Sequence, residues 1–177
     1  MTDPLLRTLS PVHFADLPQA ADVNRALIEA FERTSAALDV RRTHKFAGRY
    51  ENTYIPAERL PELTPVRDFA VHRAATVLGI DAPHHGFWFN EMRSGQRTTL
   101  HDHAEADELL SGVYYLSCAP GSGRLVLHDD DAQILITPRP GLLVLFPPDL
   151  PHEVEQNSST ETRLSIAFNF GPPRAAS

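Results

Sequence analysis

The second half of the chain is a series of short segments separated by turns, and this pattern limits the fold more than any other feature. From residue 85 onward the sequence predicts eight β-strands: Gly86–Met92, Arg97–His103, Leu110–Ser117, Arg124–His128, Gln133–Thr137, Leu142–Phe146, His152–Gln156 and Arg163–Phe170. Clusters of glycine, proline, serine, asparagine and aspartate lie between them, as turns require. Eight closely spaced strands favour an antiparallel barrel or sandwich.

Two helices are predicted before these strands. The first extends from about Pro18 to about Leu38, where apolar residues recur near helical spacing. The second begins at Thr64-Pro65, with threonine as the N-cap, and stops at Gly79. We therefore expect a mainly β chain folded as a jelly roll, or double-stranded β-helix, with the two N-terminal helices packed on its outer face.

A single domain is the simplest organisation for 177 residues. We expect residues 1–84 to form a cover of helices and loops, and residues 85–170 to form the β core. Within the cover, residues 9–14 are typical of an edge strand or an extended lead-in. The segment 39–63 is expected to be a solvated loop with one short strand.

An alternative for the segment 39–63 is a lid or substrate-recognition loop, because long loops in compact domains often carry function. Arg49, Tyr50 and Asn52 would then be its substrate contacts.

Composition narrows the class of partner. The net charge is −7, with acidic and basic residues interspersed, which argues against a nucleic-acid-binding surface. No run of residues approaches transmembrane length, and the N-terminus lacks the features of a signal peptide, so no membrane partner is expected. The single Cys118 cannot form an internal disulfide, which favours a cytoplasmic location. The sequence does not determine the oligomeric state, and a homodimer is compatible with it.

Three histidines form a candidate metal site. His101 and His103 lie two residues apart on a predicted strand, so both rings point to the same side together with Thr99. His152 begins a later strand after a proline-rich turn. Imidazole suits iron, zinc, copper and nickel. Polar side chains inside a barrel are costly unless they are hydrogen-bonded or bind a ligand, which favours a ligand cavity there over a fully packed core.

The last predicted strand has two chemically different faces. One face carries Arg163, Ser165, Ala167 and Asn169, and the other carries Leu164, Ile166, Phe168 and Phe170. The apolar face is suited to lie under the two helices. The polar face would then point into the cavity.

Several motifs together resemble the iron(II)/2-oxoglutarate-dependent oxygenases. Gly95, five residues and then His-x-His is similar to the Gly-x5-His-x-Asp start of that family's site. The segment 111–116, Ser-Gly-Val-Tyr-Tyr-Leu, resembles its third core strand. The segment 141–147, followed by His152, resembles the part of the family that holds the distal iron histidine. The segment 163–169 resembles the strand whose arginine anchors 2-oxoglutarate.

The resemblance implies a non-haem iron dioxygenase with Fe(II), 2-oxoglutarate and dioxygen as cofactor and cosubstrates. It implies hydroxylation, or another oxidation, of a C–H bond in a small molecule, with 2-oxoglutarate decarboxylated to succinate. His101, His103 and His152 would bind the iron. Tyr114 would point away from the cavity, into packing.

The resemblance also assigns residues to the cosubstrate. Arg163 would form bidentate bonds with its far carboxylate. Tyr115 could donate its hydroxyl to the same carboxylate, and Asn90 and Asn169 would be further polar contacts.

The third metal ligand departs from the family pattern, because His103 stands where a carboxylate is usual. Three imidazoles could bind the iron. Alternatively, His103 and Glu105 could act as a pair with His152, or Asp102 could turn inward. The spacing from Gly95 favours His101 and His103.

The same spacing also resembles the cupins. In that alternative the ligands are His101, His103, Glu108 and His152, and the protein is a metal-dependent dioxygenase or isomerase that does not use 2-oxoglutarate. A non-catalytic metal-binding jelly roll is a further alternative. Only the oxygenase gives Arg163 a role.

Overall fold

The computed structural model describes residues 6–46, 49–102, 107–130 and 132–174. The two α-helices are α1 (Ala20–Ser35) and α2 (Thr64–Leu78), and two 3-10 helices, Ala57–Arg59 and Pro61–Leu63, precede α2. The described strands are β1 (Leu6–Leu9), β2 (Val12–Asp16), β3 (Arg41–Phe46), β4 (Arg49–Tyr54), β5 (His84–Met92), β6 (Thr98–His101), β7 (Leu110–Ser117), β8 (Leu125–Asp129), β9 (Ala132–Ile136), β10 (Leu142–Phe146), β11 (His152–Val154) and β12 (Arg163–Gly171). Neither α-helix is long and apolar enough to cross a membrane.

The strands form two antiparallel sheets. The larger sheet has the order β1-β2-β10-β7-β12-β5-β4-β3, and the smaller has the order β6-β11-β8-β9. Buried residues of both sheets, among them Tyr115, Val144, Leu125 and Leu127, form one apolar cluster between the sheets. The predicted jelly roll is therefore confirmed.

The two helices cover the outer face of the larger sheet, as predicted. Leu27 and Phe31 of α1 and Val66 and Ala70 of α2 are buried in a second apolar cluster. The apolar face of β12 belongs to that cluster, through Leu164, Ile166, Phe168 and Phe170. The alternation predicted for this strand is confirmed.

The helix ends differ slightly from the prediction. Helix α1 begins at Ala20 rather than Pro18, because Gln19 has a left-handed backbone (φ 55°) that cannot continue a right-handed helix. Thr64 is the first residue of α2 rather than its N-cap. Gly79 stops α2 as predicted, in a left-handed conformation (φ 66°) that glycine adopts without strain.

The prediction of a solvated loop with one short strand over 39–63 is wrong. Strands β3 and β4 pair with each other, and Thr53 of β4 pairs with Phe89 of β5, so the two strands extend the larger sheet. Strand β4 buries Glu51 and Thr53 rather than apolar side chains. The hydrophobic alternation that reveals a strand is therefore missing.

One buried hydrogen-bond group joins α1 to the sheet. Asn24 donates from Nδ2 to the carbonyl oxygens of Leu116 (3.0 Å) and Tyr115 (3.3 Å). Its Oδ1 accepts a 2.7 Å bond from the hydroxyl of Tyr114. Burial raises the pKa of Tyr114, which keeps this donor protonated. Tyr114 thus points away from the cavity, as predicted.

We expect Asn24→Ala to lower the free energy of unfolding by about 2–3 kcal/mol, because it leaves the buried Tyr114 hydroxyl without an acceptor. Urea denaturation followed by circular dichroism measures this change. The double variant with Tyr114→Phe should lose less than the sum of the two single losses, since the two residues share one hydrogen bond. Strict additivity would contradict this account.

Candidate active site

A cavity of about 540 Å³ is lined by residues of both sheets. Its polar and charged lining comprises His44, Glu51, Asn52, Asn90, Thr98, Thr99, His101, Asp102, Glu108, Ser111, His152, Arg163, Ser165 and Asn169. Apolar side chains, including Val113, Leu125, Phe146 and Val154, complete the wall. A cavity on the polar side of β12 is therefore present, as expected.

Two of the predicted metal ligands meet in this cavity. His101 of β6 lies directly opposite His152 of β11, and the centroids of their rings are 4.3 Å apart. The Nδ1 of His101 lies 2.7 Å from the carbonyl oxygen of Thr99, and the Nδ1 of His152 lies 3.0 Å from that of Leu150. Because a carbonyl oxygen only accepts, both Nδ1 atoms carry the proton. Each Nε2 then carries the lone pair that a metal ion needs.

The third ligand of the predicted set lies outside the described residues, since these omit His103 and Glu105. Asp102 is described and lines the cavity. Among the described side chains, no three candidate ligands are grouped closely enough to hold a metal ion. Glu108, the carboxylate ligand of the cupin alternative, is thus not grouped with His101 and His152.

Arg163 lies in the same cavity and is almost completely buried, with 2% of its surface exposed. Its Nε makes no hydrogen bond to a described residue, and neither does the buried hydroxyl of Tyr115. The guanidinium carbon lies 5.1 Å from the centroid of the Tyr115 ring. Burial raises the pKa of Tyr115, although the charge of Arg163 opposes this rise, so the hydroxyl remains a donor. Arg163 lines the cavity, whereas Tyr115 lies behind it in the apolar cluster between the sheets and is not part of the lining. A buried cation beside a hydroxyl donor is an arrangement that can bind an anion.

The three predicted asparagines all line the cavity, but each is also held by the protein. Asn90 donates to the backbone oxygen of Glu51 and to Oδ1 of Asn52, both at 2.9 Å. Asn52 in turn donates to Nδ1 of His44 at 2.9 Å. Asn169 donates to the carboxylate of Glu108. These bonds fix the amides as a polar wall.

Arg49 and Tyr50 are not part of the cavity lining. Arg49 donates to the carbonyl oxygens of Arg97 (2.9 Å) and Glu91 (3.3 Å) and pairs with the carboxylate of Glu51 at 3.3 Å. These bonds hold β4 against the backbone at Glu91 and Arg97. Tyr50 is half exposed, and the Nζ of Lys45 lies 5.9 Å from its ring centroid. A substrate contact through either residue stays a prediction.

Glu51, Trp88 and His44 are among the cavity residues that sequence reasoning missed. Trp88 could have been found, because it lies two residues before Asn90 on a predicted strand and therefore shares its face. His44 has a left-handed backbone (φ 55°) inside β3, which no sequence pattern announces. Burial raises the pKa of Glu51, while the charge of Arg49 opposes the rise.

Comparison with protein families gives one match. Residues 128–169 match the model of a family described as "Putative 2OG-Fe(II) oxygenase". The matched segment contains His152, Arg163 and Asn169, and it ends before β12 does. No curated protein matches the sequence.

Solved structures share the fold over most of the chain. A Pseudomonas putida prolyl-4-hydroxylase is 20% identical, with 92% of this chain and 88% of that chain covered and a TM-score of 0.65. The viral collagen prolyl hydroxylase of Paramecium bursaria Chlorella virus-1 is 12% identical, with coverages of 92% and 90% and a TM-score of 0.66.

A third solved structure is the epimerase SnoN in complex with Fe³⁺, α-ketoglutarate and nogalamycin RO. It is 17% identical, with 90% of this chain and 78% of that chain covered and a TM-score of 0.64. At these identities the structures show the fold, and the family model adds the segment that contains His152 and Arg163. The resemblance of this chain to the iron(II)/2-oxoglutarate oxygenase family, predicted from its sequence, is thus confirmed.

Proposed function

We propose that the protein is an iron(II)- and 2-oxoglutarate-dependent dioxygenase that hydroxylates a C–H bond of a small molecule. In the overall reaction the substrate, 2-oxoglutarate and dioxygen give the hydroxylated product, succinate and carbon dioxide. The observation that carries the proposal is the buried Arg163, which lies in one cavity with the paired rings of His101 and His152.

The donor atoms fit an iron(II) site. The Nε2 lone pairs of His101 and His152 would hold the metal, with His103 as the third ligand in the arrangement that the spacing from Gly95 favours. Bound iron supplies the redox chemistry that couples dioxygen to the decarboxylation of a 2-oxo acid. The carbonyl oxygens of Thr99 and Leu150 keep both rings in the required tautomer and orientation.

The anion site fits the remote carboxylate of 2-oxoglutarate. Arg163 would form two parallel charge-assisted bonds to it, and the Tyr115 hydroxyl would donate a third. The buried position of both groups keeps water away from these bonds, which makes them stronger than in solution. The cosubstrate would in turn satisfy two buried polar groups that make no such bond to the described protein.

The length of β12 separates the cosubstrate from the substrate. Asn169 follows Arg163 by six residue steps along β12, so at about 3.3 Å per residue their Cα atoms are roughly 20 Å apart. A five-carbon diacid bound to Arg163 does not extend that far. We therefore assign Asn169 to the substrate, in place of the cosubstrate role expected from the sequence. Asn90 lies opposite Ser165, nearer to Arg163, and keeps its cosubstrate assignment.

Anaerobic addition of Fe(II) and 2-oxoglutarate is expected to produce a visible charge-transfer band, because the 2-oxo acid would chelate the iron held by His101 and His152. Absorption spectroscopy measures it. His101→Ala should remove the band. His128→Ala is the control and should leave the band unchanged, because the ring of His128 pairs with Glu153 and does not line the cavity. If the wild-type protein binds stoichiometric iron and still shows no band, the 2-oxoglutarate assignment fails.

A further inference from the structure

The charges of the cavity suggest what kind of substrate it admits. Once 2-oxoglutarate occupies Arg163, the charged groups left among the described lining residues, apart from the imidazoles, are the carboxylates of Glu51, Asp102 and Glu108. With neutral histidine ligands, iron(II), the 2-oxoglutarate dianion and Arg163 together carry one positive charge, which is less than the carboxylates of Asp102 and Glu108 offset even when Glu51 is paired with Arg49. A carboxylate ligand would make the cavity more negative. A cavity of this polarity favours a cationic ligand.

Glu108 is the carboxylate best placed to bind such a cation. Glu51 already pairs with Arg49 at 3.3 Å, and Asp102 is adjacent to the metal ligand His101. Glu108 forms no ion pair with a described residue, and its carboxylate is held in the cavity wall by the amide of Asn169. It therefore lies at the end of β12 that is far from the cosubstrate anchor.

An aromatic surface lies at the same end of the cavity. Trp88 of β5 is directly opposite Ala167 of β12, two residues from Asn169, and its side chain lines the cavity. Its ring centroid is 5.9 Å from that of Tyr54. A tryptophan face attracts organic cations through its ring quadrupole, and this attraction is strongest where water is excluded.

We propose that the substrate carries a protonated amine or a similar organic cation, which binds between the carboxylate of Glu108 and the ring of Trp88. This inference rests on the proposed oxygenase function and names the substrate class of the same cavity. The small side chains of Ala167 and Ser165 leave room for an aliphatic stem that leads from the cation toward His101 and His152. The C–H bond that reacts would lie on that stem.

Fluorescence of Trp88 tests the proposal, since it is the single tryptophan of the chain. The protein loaded anaerobically with Fe(II) and 2-oxoglutarate is titrated with n-butylammonium, butyramide and butyrate, which have similar size and different charge. We expect n-butylammonium to bind about 10-fold or more tightly than butyramide, as a hydrogen bond to a charged group allows, and butyrate to bind most weakly.

Two variants and one control make the test specific. Glu108→Gln should abolish the preference for the ammonium probe, and Asn169→Ala should weaken it, because the carboxylate loses its support. Glu58→Gln removes the same charge from an exposed position outside the cavity and should change nothing. Equal binding of the ammonium and amide probes, or an undiminished preference in a folded Glu108→Gln variant, overturns the proposal.

The dissociation constant of 2-oxoglutarate, measured on the same samples, distinguishes a wrong substrate class from a wrong oxygenase function. If 2-oxoglutarate binds and the probes show no charge preference, the substrate class is wrong and the oxygenase function stands. If 2-oxoglutarate does not bind to the iron-loaded wild-type protein, the proposed function itself fails, and with it the substrate class that rests on it.

Discussion

Replacing Arg163 by methionine is expected to stabilise the protein without cosubstrate and to destroy its affinity for 2-oxoglutarate. Arg163 is 2% exposed, and its Nε makes no hydrogen bond to a described residue. A buried cation without an anion destabilises a fold, and an apolar side chain of similar length removes that penalty. We expect the free energy of unfolding of the apoprotein to rise by about 1–3 kcal/mol.

The effect on the cosubstrate has the opposite sign. Loss of a buried, hydrogen-bonded charge partner costs about 2–5 kcal/mol, so the dissociation constant of 2-oxoglutarate should rise by about 30-fold or more. Thermal unfolding with and without the cosubstrate measures both effects. A ligand at 100 times its dissociation constant adds about 2.7 kcal/mol to the wild-type protein, and this gain should vanish in Arg163→Met.

Arg124→Met is the matched control for this variant. Arg124 forms an exposed ion pair with Glu155 at 2.6 Å, and such pairs contribute little to stability. Neither the apoprotein stability nor 2-oxoglutarate binding should change appreciably. If Arg163→Met instead destabilises the apoprotein and leaves 2-oxoglutarate affinity intact, Arg163 is a structural residue and the anion site is wrong.

The elements that could be predicted from the sequence are those with a clear period of two. Leu164, Ile166, Phe168 and Phe170 alternate with small or polar residues, and this alternation placed one face of β12 under the helices and the other in the cavity. It indicated the side to which Arg163 points because a strand has only two faces. The alternation did not predict how far Arg163 lies from the candidate metal ligands His101 and His152.

The parts that could not be predicted depend on contacts between distant segments. Strand β4 buries the polar Glu51, whose charge is matched by Arg49, so no apolar pattern marked the hairpin. Arg49 itself was predicted to bind substrate, yet it bonds to the carbonyl oxygens of Glu91 and Arg97. Such partners are known only once β4 lies beside β5, because hydrogen bonds between segments some 40 residues apart leave no local signature.

The pairing of His101 with His152 illustrates the same limit. Spacing along one strand could place His101 and His103 on one face, but only the antiparallel register of β6 and β11 brings His152 opposite His101. The tautomers depend on the carbonyl oxygens of Thr99 and Leu150, which belong to the backbone and carry no residue-type signal. The family resemblance implies that both histidines bind the metal, and the structure shows that their rings lie together in one cavity.

His152→Ala is expected to abolish stoichiometric iron binding and turnover of 2-oxoglutarate. Even loss of a hydrogen bond that supports a metal ligand weakens metal affinity by about 10–100-fold, and loss of the ligand itself should exceed that. His152 is also packed edge-on against Phe146, with ring centroids 4.9 Å apart, so the variant loses packing as well. Iron content after gel filtration and succinate formation are the two measurements.

Free imidazole separates the metal role of His152 from its packing role. Added imidazole can enter the space that the side chain leaves and offer the same nitrogen lone pair, so it should restore iron binding in part to a folded His152→Ala variant. In the same assay, alanine substitutions of His103, Asp102 and Glu105 identify the third ligand, because the substitution that removes iron marks the residue that binds it. Full iron content in His152→Ala without imidazole would exclude His152 as a ligand, and the site would have to be built around His101 alone.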